Sequence, residues 1–167
     1  MKVNFKITNA LLTTIRVDLC RRHRFAHERV GFVLCGLAKS SEGILILAQN
    51  YHPAADQDYL PDPSVGAMMG PEAIRKAMEF ALINRVAIFH VHSHGGIGIP
   101  DFSGVDVREN AKFVPDFLKV APQNIHGAVV LSDTAAAGQF WVARGRDSQP
   151  ITGFVEIGRP IGKWGIE

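Results

Sequence analysis

Cysteine is scarce in this chain: only Cys20 and Cys35 occur among 167 residues. Two cysteines are too few for a disulfide framework or a cysteine-rich zinc module, and their scarcity fits a reducing compartment, so a cytoplasmic location is expected. Long hydrophobic runs are absent as well. The opening MKVNFKIT has an early lysine but no apolar stretch of signal-peptide length, and no segment approaches the roughly 18 consecutive apolar residues of a membrane span. Neither an export signal nor a membrane partner is expected. Excess charge of one sign is also missing. The net charge is +2, and lysine and arginine are scattered except at Arg21, Arg22 and Arg24, which read as a solvated face. A nucleic-acid partner is therefore not expected.

What is present is apolar material: 47% of the residues are hydrophobic and 20% charged, enough for one well-packed core and too few residues for two ordinary domains. The whole chain, 1–167, is expected to form one domain. Residues 3–7 alternate like a strand, and Thr8 or Asn9 can cap a helix bearing Leu11, Leu12, Ile15 and Leu19, a pattern that runs out near His23. Residues 30–37 and 44–50 read as a hairpin around a turn at 40–43, and 53–71 is irregular, with 65–69 its one strand-like stretch. Pro71 opens a helix whose apolar stripe is Ile74, Met78, Ala81 and Leu82, ending near Asn84. Residues 86–93 alternate as a strand, a glycine-rich loop covers 95–100, and Ser103 starts a helix toward Val120 that Pro115 kinks or splits. Strands at 125–131, 139–144 and 151–157 complete a mixed β-sheet flanked by helices, an α/β fold.

Within the strand at 86–93, His90, His92 and His94 fall on alternate positions and share one face. His92 and His94 stand roughly 6 to 7 Å apart along the strand, close enough for both imidazoles to reach one ion, whereas His90 and His94 are about 13 Å apart. A hydrolytic zinc needs a third protein ligand. Asp106, one turn beyond Ser103 on a helix end that can face the histidine pair, is preferred over Asp101. Ser103 itself reads as a helix cap, since Ser-x-x-Asp resembles a capping box. The chemistry also calls for a general base, and Glu28, just ahead of the apolar strand at 30–37, is placed to supply it, although alone it would read as a solvated residue.

Together these residues resemble the JAB/JAMM metallopeptidases, whose signature is a distant glutamate, His-Ser-His, a short spacer and Ser-x-x-Asp: here Glu28, His92-Ser93-His94 and Ser103-Gly104-Val105-Asp106. The stretch from Glu28 through Gly31 to Gly36 resembles the family's strand that follows the glutamate. The spacer of eight residues, 95–102, is one longer than usual for the family, and Gly95 stands where proline is common. The resemblance implies a single MPN (JAB) domain with a curved, cytidine-deaminase-like sheet. It implies Zn2+ held by His92, His94 and Asp106, Glu28 as proton shuttle, and Ser103 as a stabiliser of the oxyanion. The short chain is similar to the prokaryotic branch.

The resemblance further implies hydrolysis after the C-terminal glycine of a ubiquitin-like protein, in a bacterial pathway with activating and conjugating enzymes of the same operon and links to anti-phage defence. The irregular residues 53–70 and the loop 95–102 are then expected to contact substrate. Two other readings stand beside this one: a peptidase releasing cysteine or a small adduct from a sulfur-carrier protein, and a non-catalytic MPN scaffold. The remaining residues take plain roles. His90 and Glu109 are expected behind the ligands, His23, His27, His52 and His126 at element ends, and Cys35 in the core.

Overall fold

The computed structural model describes residues 2–22, 27–62 and 64–158. Strand β1 (Lys2–Thr8) turns Val3 and Phe5 inward, and Thr8 then accepts a hydrogen bond from the Leu11 amide at 3.3 Å, capping helix α1 (Asn9–Leu19). Leu12, Ile15 and Leu19 form the buried stripe of α1 at i, i+3 and i+7. The expected end of this pattern near His23, and Arg24 of the basic cluster, lie outside the described residues. The hairpin forms as β2 (Val30–Ser40) and β3 (Gly43–Pro53), with both strands longer than their apolar runs because the exposed ends keep pairing to the turn.

Of the irregular segment, Tyr59–Leu60 (β4) and Met68–Met69 (β5) make a two-stranded antiparallel ribbon. Helix α2 (Pro71–Asn84) starts on its proline, and Arg85 ends it in the left-handed region at φ 53°. Its buried face is Ala73, Ala77 and Ala81; of the expected stripe Ala81 is buried and Met78 packs against the core, whereas Leu82 is 56% exposed. The alanines lie at strict i, i+4 spacing, and having no bulk beyond Cβ they let the helix backbone approach the sheet. After β6 (Ala87–Ser93), α3 (Gly104–Phe113) gives way to a 3₁₀ segment, Val114–Lys119. The split falls at Pro115, whose ring and missing N–H disrupt an α-helical turn.

The last strands are β7 (His126–Leu131), β8 (Ala136–Trp141), β9 (Gln149–Pro150) and β10 (Gly153–Ile157). β8 therefore sits earlier than the expected 139–144, since its first three residues, Ala-Ala-Gly, pair with β7 despite their low β-propensity.

Eight strands form one curled, mixed sheet in the order β10-β1-β3-β2-β6-β7-β8-β9. The pairs β10/β1, β1/β3 and β6/β7 are parallel and the rest antiparallel. The chain is thus α/β, as the alternation of its elements predicts. Both faces of the sheet are covered. On β6, Ala87, Phe89 and Val91 join the core under α1, while Ile88 joins a second core with α2 and the 3₁₀ segment. His90 and His92 share the face of Ile88, so the strand's alternation delivers the histidines to the α2/α3 side. Among the described residues no helix is long and apolar enough to cross a membrane.

Candidate metal centre

β6 is central in the sheet, with His92 in register with Val30 of β2 on one side and Val130 of β7 on the other. This pairing fixes the His92 backbone, and the His94 amide, just past the strand, donates to the Leu131 carbonyl at 3.0 Å. The two imidazoles converge, with Nε2 atoms 3.1 Å apart. Asp106 closes the group: Oδ1 lies 3.4 Å from His92 Nε2 and Oδ2 3.2 Å from His94 Nε2. Atoms bound to a tetrahedral zinc at about 2.0–2.1 Å stand about 3.3–3.4 Å from one another. The three separations lie near that spacing, with a different Asp106 oxygen facing each histidine, and two imidazoles with a carboxylate are a donor set suited to zinc. The competing carboxylate, Asp101, is exposed in the loop.

Asp106 is aimed by its own helix end. Ser103 caps α3, its Oγ accepting the Asp106 amide at 3.1 Å, while the Ser103 amide donates to Asp106 Oδ2 at 2.7 Å. The reciprocal pair is a capping box in which the N3 carboxylate is also the proposed ligand. Burial alone would raise the pKa of Asp106, but hydrogen bonds from His92 and Ser103 outweigh it and hold the carboxyl well below the usual carboxylate range.

Glu28 comes to the same place from the opposite side. Its amide and that of His27 both donate to the Gly66 carbonyl, at 2.9 and 2.8 Å, which seats the glutamate ahead of β2. The ligand atoms of Glu28, His92 and His94 lie within 4.8 Å of one another. Gly66 leaves room for this side chain: a Cβ on it would come within 2.5 Å of the Glu28 carboxyl carbon and displace it. These side chains open on a cleft of about 440 Å³ between α3 and residues 64–69, a segment expected to face substrate.

The spacer loop takes positive φ at Gly95, Gly96 and Gly98 (65°, 76° and 94°), angles at which glycine is unstrained. It is tied to the turn after β7 by Asp133 N–H to Gly96 O (2.9 Å), Gly98 N–H to Thr134 Oγ1 (3.0 Å) and Ser132 Oγ to Gly98 O (2.6 Å). Ile97 and Ile99 in this loop project into solvent, 89% and 81% exposed.

Behind the ligands, His90 is buried between Phe32, Phe113 and His92, with ring centroids 5.9, 5.3 and 5.5 Å away. Burial, with the neighbouring His92, pushes its pKa down to about 3, so the ring is neutral. Glu109 is exposed and its carboxylate pairs with Lys112 at 2.7 Å; both line the cleft beside the ligands and do not lie behind them. The polar residue that turns inward is the next one, Asn110, which is buried and was not singled out from sequence. One turn past Asp106 at i+4, it shares the ligand's helix face, which was the available signal. Cys35 is buried in the core, where desolvation raises its thiol pKa well above the ordinary value.

No family model matches the chain, and no curated protein does. Among solved structures, the Trichoplax adhaerens STIL N-terminal domain aligns over 80% of this chain at 12% identity with a TM-score of 0.38, and the aligned part spans 39% of that structure's length.

Proposed function

We propose that the chain is a zinc metallopeptidase of the JAB/JAMM class, with an MPN, cytidine-deaminase-like fold, that hydrolyses the bond after the C-terminal glycine of a ubiquitin-like protein. The observation that carries this reading is the convergence of four motif residues from three separate parts of the chain. His92, His94 and Asp106 stand at ligand spacing, and Glu28 reaches both histidines.

Zinc held by the three ligands would supply a Lewis acid that polarises the scissile carbonyl and makes hydroxide available near neutral pH. The residues of the chain do the rest. Glu28 accepts a proton from the attacking water and returns it to the leaving nitrogen, so the bond breaks without a covalent intermediate. Ser103 Oγ accepts the Asp106 amide and keeps its own O–H free to donate to the developing oxyanion. The cleft admits an extended tail whose small glycine residues suit a narrow passage. A bacterial conjugation pathway, with its activating and conjugating enzymes as partners and a role in anti-phage defence, is the biological setting of this proposal.

The test is cleavage of a fusion in which the ubiquitin-like protein of the neighbouring operon precedes a reporter. Native protein is expected to cut after the terminal glycine, and chelation of zinc or Glu28→Ala to abolish cutting. Stoichiometric zinc without any cleavage of the fusion would remove the reading in favour of release of a small adduct.

A further inference from the structure

The cleft contains polar atoms that the proposed metal centre does not use. His90 is 6% exposed and Asn110 1% exposed, and both line the cleft that holds Glu28, His92, His94 and Asp106. Among the described residues, His90 Nδ1, His90 Nε2 and Asn110 Nδ2 are buried and make no hydrogen bond of ordinary geometry. The Asn110 side-chain oxygen faces one His90 ring nitrogen closely enough to favour the charged form, which leaves the other ring nitrogen and Asn110 Nδ2 without a partner. Buried polar atoms are nearly always paired, and an unpaired group marks a ligand, a water or a catalytic role. Here the unpaired atoms gather at one wall of a cleft that already carries a candidate reaction centre.

Their chemistry narrows the occupant. A neutral imidazole offers one donor and one acceptor, and the asparagine amide adds donors from α3. The surrounding wall is aromatic and aliphatic, with Phe32 and Phe113 against His90 and Val30 and Ile74 on the cleft. A charged group entering there would be desolvated with no opposite charge from these two residues. An uncharged group with both an N–H and a C=O is the complement: the N–H donates to the free imidazole nitrogen, and the C=O accepts from Asn110 Nδ2. A backbone peptide group has this pattern. The cleft volume of about 440 Å³ leaves room for peptide on either side of the centre.

We propose that His90 and Asn110 form a subsite that binds a backbone peptide group of the chain being cut, next to the scissile bond. The proposal rests on the peptidase reading of the site but concerns binding rather than turnover. It is tested with zinc-loaded Glu28→Gln protein, which cannot shuttle the proton, titrated calorimetrically with N-acetyl-tetraglycine amide, an uncharged peptide.

His90→Phe and Asn110→Leu, each made in that background, are expected to raise Kd about fivefold or more, the effect of losing one neutral hydrogen bond. His90→Gln, which retains a donor and an acceptor, is expected to restore binding to within about twofold. Zinc stoichiometry and the midpoint of thermal unfolding, measured on each variant, separate lost recognition from lost structure. Unchanged Kd in zinc-replete His90→Phe and Asn110→Leu would overturn the subsite and leave internal water as its occupant. A zinc-loaded parent that fails to bind the peptide would overturn both the subsite and the peptidase reading. A parent that binds peptide without taking up zinc would sink the metal centre alone, and the variants would still decide the subsite.

Discussion

At the residue scale, Gly66 separates the placement of Glu28 from the stability of the fold. A Cβ there meets the far end of a flexible glutamate, within 2.5 Å of its carboxyl carbon and 2.6 Å of Oε2, so Glu28 must swing away from the histidines while the backbone stays in place. Gly66→Ala is therefore expected to keep zinc stoichiometry and lower kcat by about tenfold or more, the lower end of what general-base catalysis contributes. Zinc analysis beside steady-state kinetics checks this, and native kcat in the variant would remove Glu28 as the base. That His92 and His94 share a face, and that Ser103 and Asp106 share one helix end, was legible because strand period and one helical turn fix each pair locally. The seat of Glu28 was not, because it depends on a carbonyl 38 residues away in sequence, in a segment with no periodicity.

At the scale of elements, α3 shows how one helix end does two jobs. The Asp106 carboxylate is held by the Ser103 amide, a backbone donor, whereas the Ser103 hydroxyl caps the helix. Ser103→Ala is expected to cost about 1 kcal/mol as a lost N-cap, to leave zinc uptake intact, and to slow hydrolysis by about 10²-fold or more if the hydroxyl meets the oxyanion. Ser103→Pro suits the local φ of −66° but removes the amide as well. It is expected to weaken zinc binding by about 10- to 100-fold, as loss of a partner that orients a ligand does. Equal zinc affinities in the two variants, by competition with a chromogenic chelator, would show that the amide does not position Asp106.

Element existence was otherwise well marked by caps, prolines and alternation, as Thr8, Pro71 and Pro115 show. Helix orientation was less so: hydrophobicity ranks Leu82 above Ala77, yet distance of approach to the sheet decided which face of α2 was buried. β9, only two residues and containing Pro150, has no periodicity to read and forms because β8 offers it an edge.

Across the whole molecule, stability should depend on pH and on metal for separate reasons. His126 is fully buried at the start of β7. Its Nδ1 accepts the Ile88 amide at 3.1 Å and its Nε2 lies 3.1 Å from the Ala121 carbonyl, an arrangement that requires the neutral Nε2–H tautomer and pins β6 to the end of the 3₁₀ segment. Burial lowers its pKa from 6.5 to about 4. As pH falls the unfolded chain takes the proton first, so this contribution is intact above about 6.5, declines between 6.5 and 4, and is lost below. The loss is on the order of 3 kcal/mol. Urea unfolding of metal-free protein from pH 7.5 to 4 should show it, and His126→Gln should have a shallower slope.

Zinc stabilisation weakens in the same direction, toward acid, because its histidine ligands must be deprotonated to bind. At free zinc about 1,000 times Kd, binding to the native state alone adds about 4 kcal/mol. For a domain of 167 residues this corresponds to a rise in Tm of about 8–16 °C. Asp106→Ala should abolish the rise while preserving the His126 limb of the pH profile, since the two groups lie in different parts of the fold. Calorimetric scans of both proteins, with zinc and with chelator, decide the matter. If zinc raises Tm equally with and without the Asp106 carboxylate, the ion is bound elsewhere and the three-ligand centre is refuted.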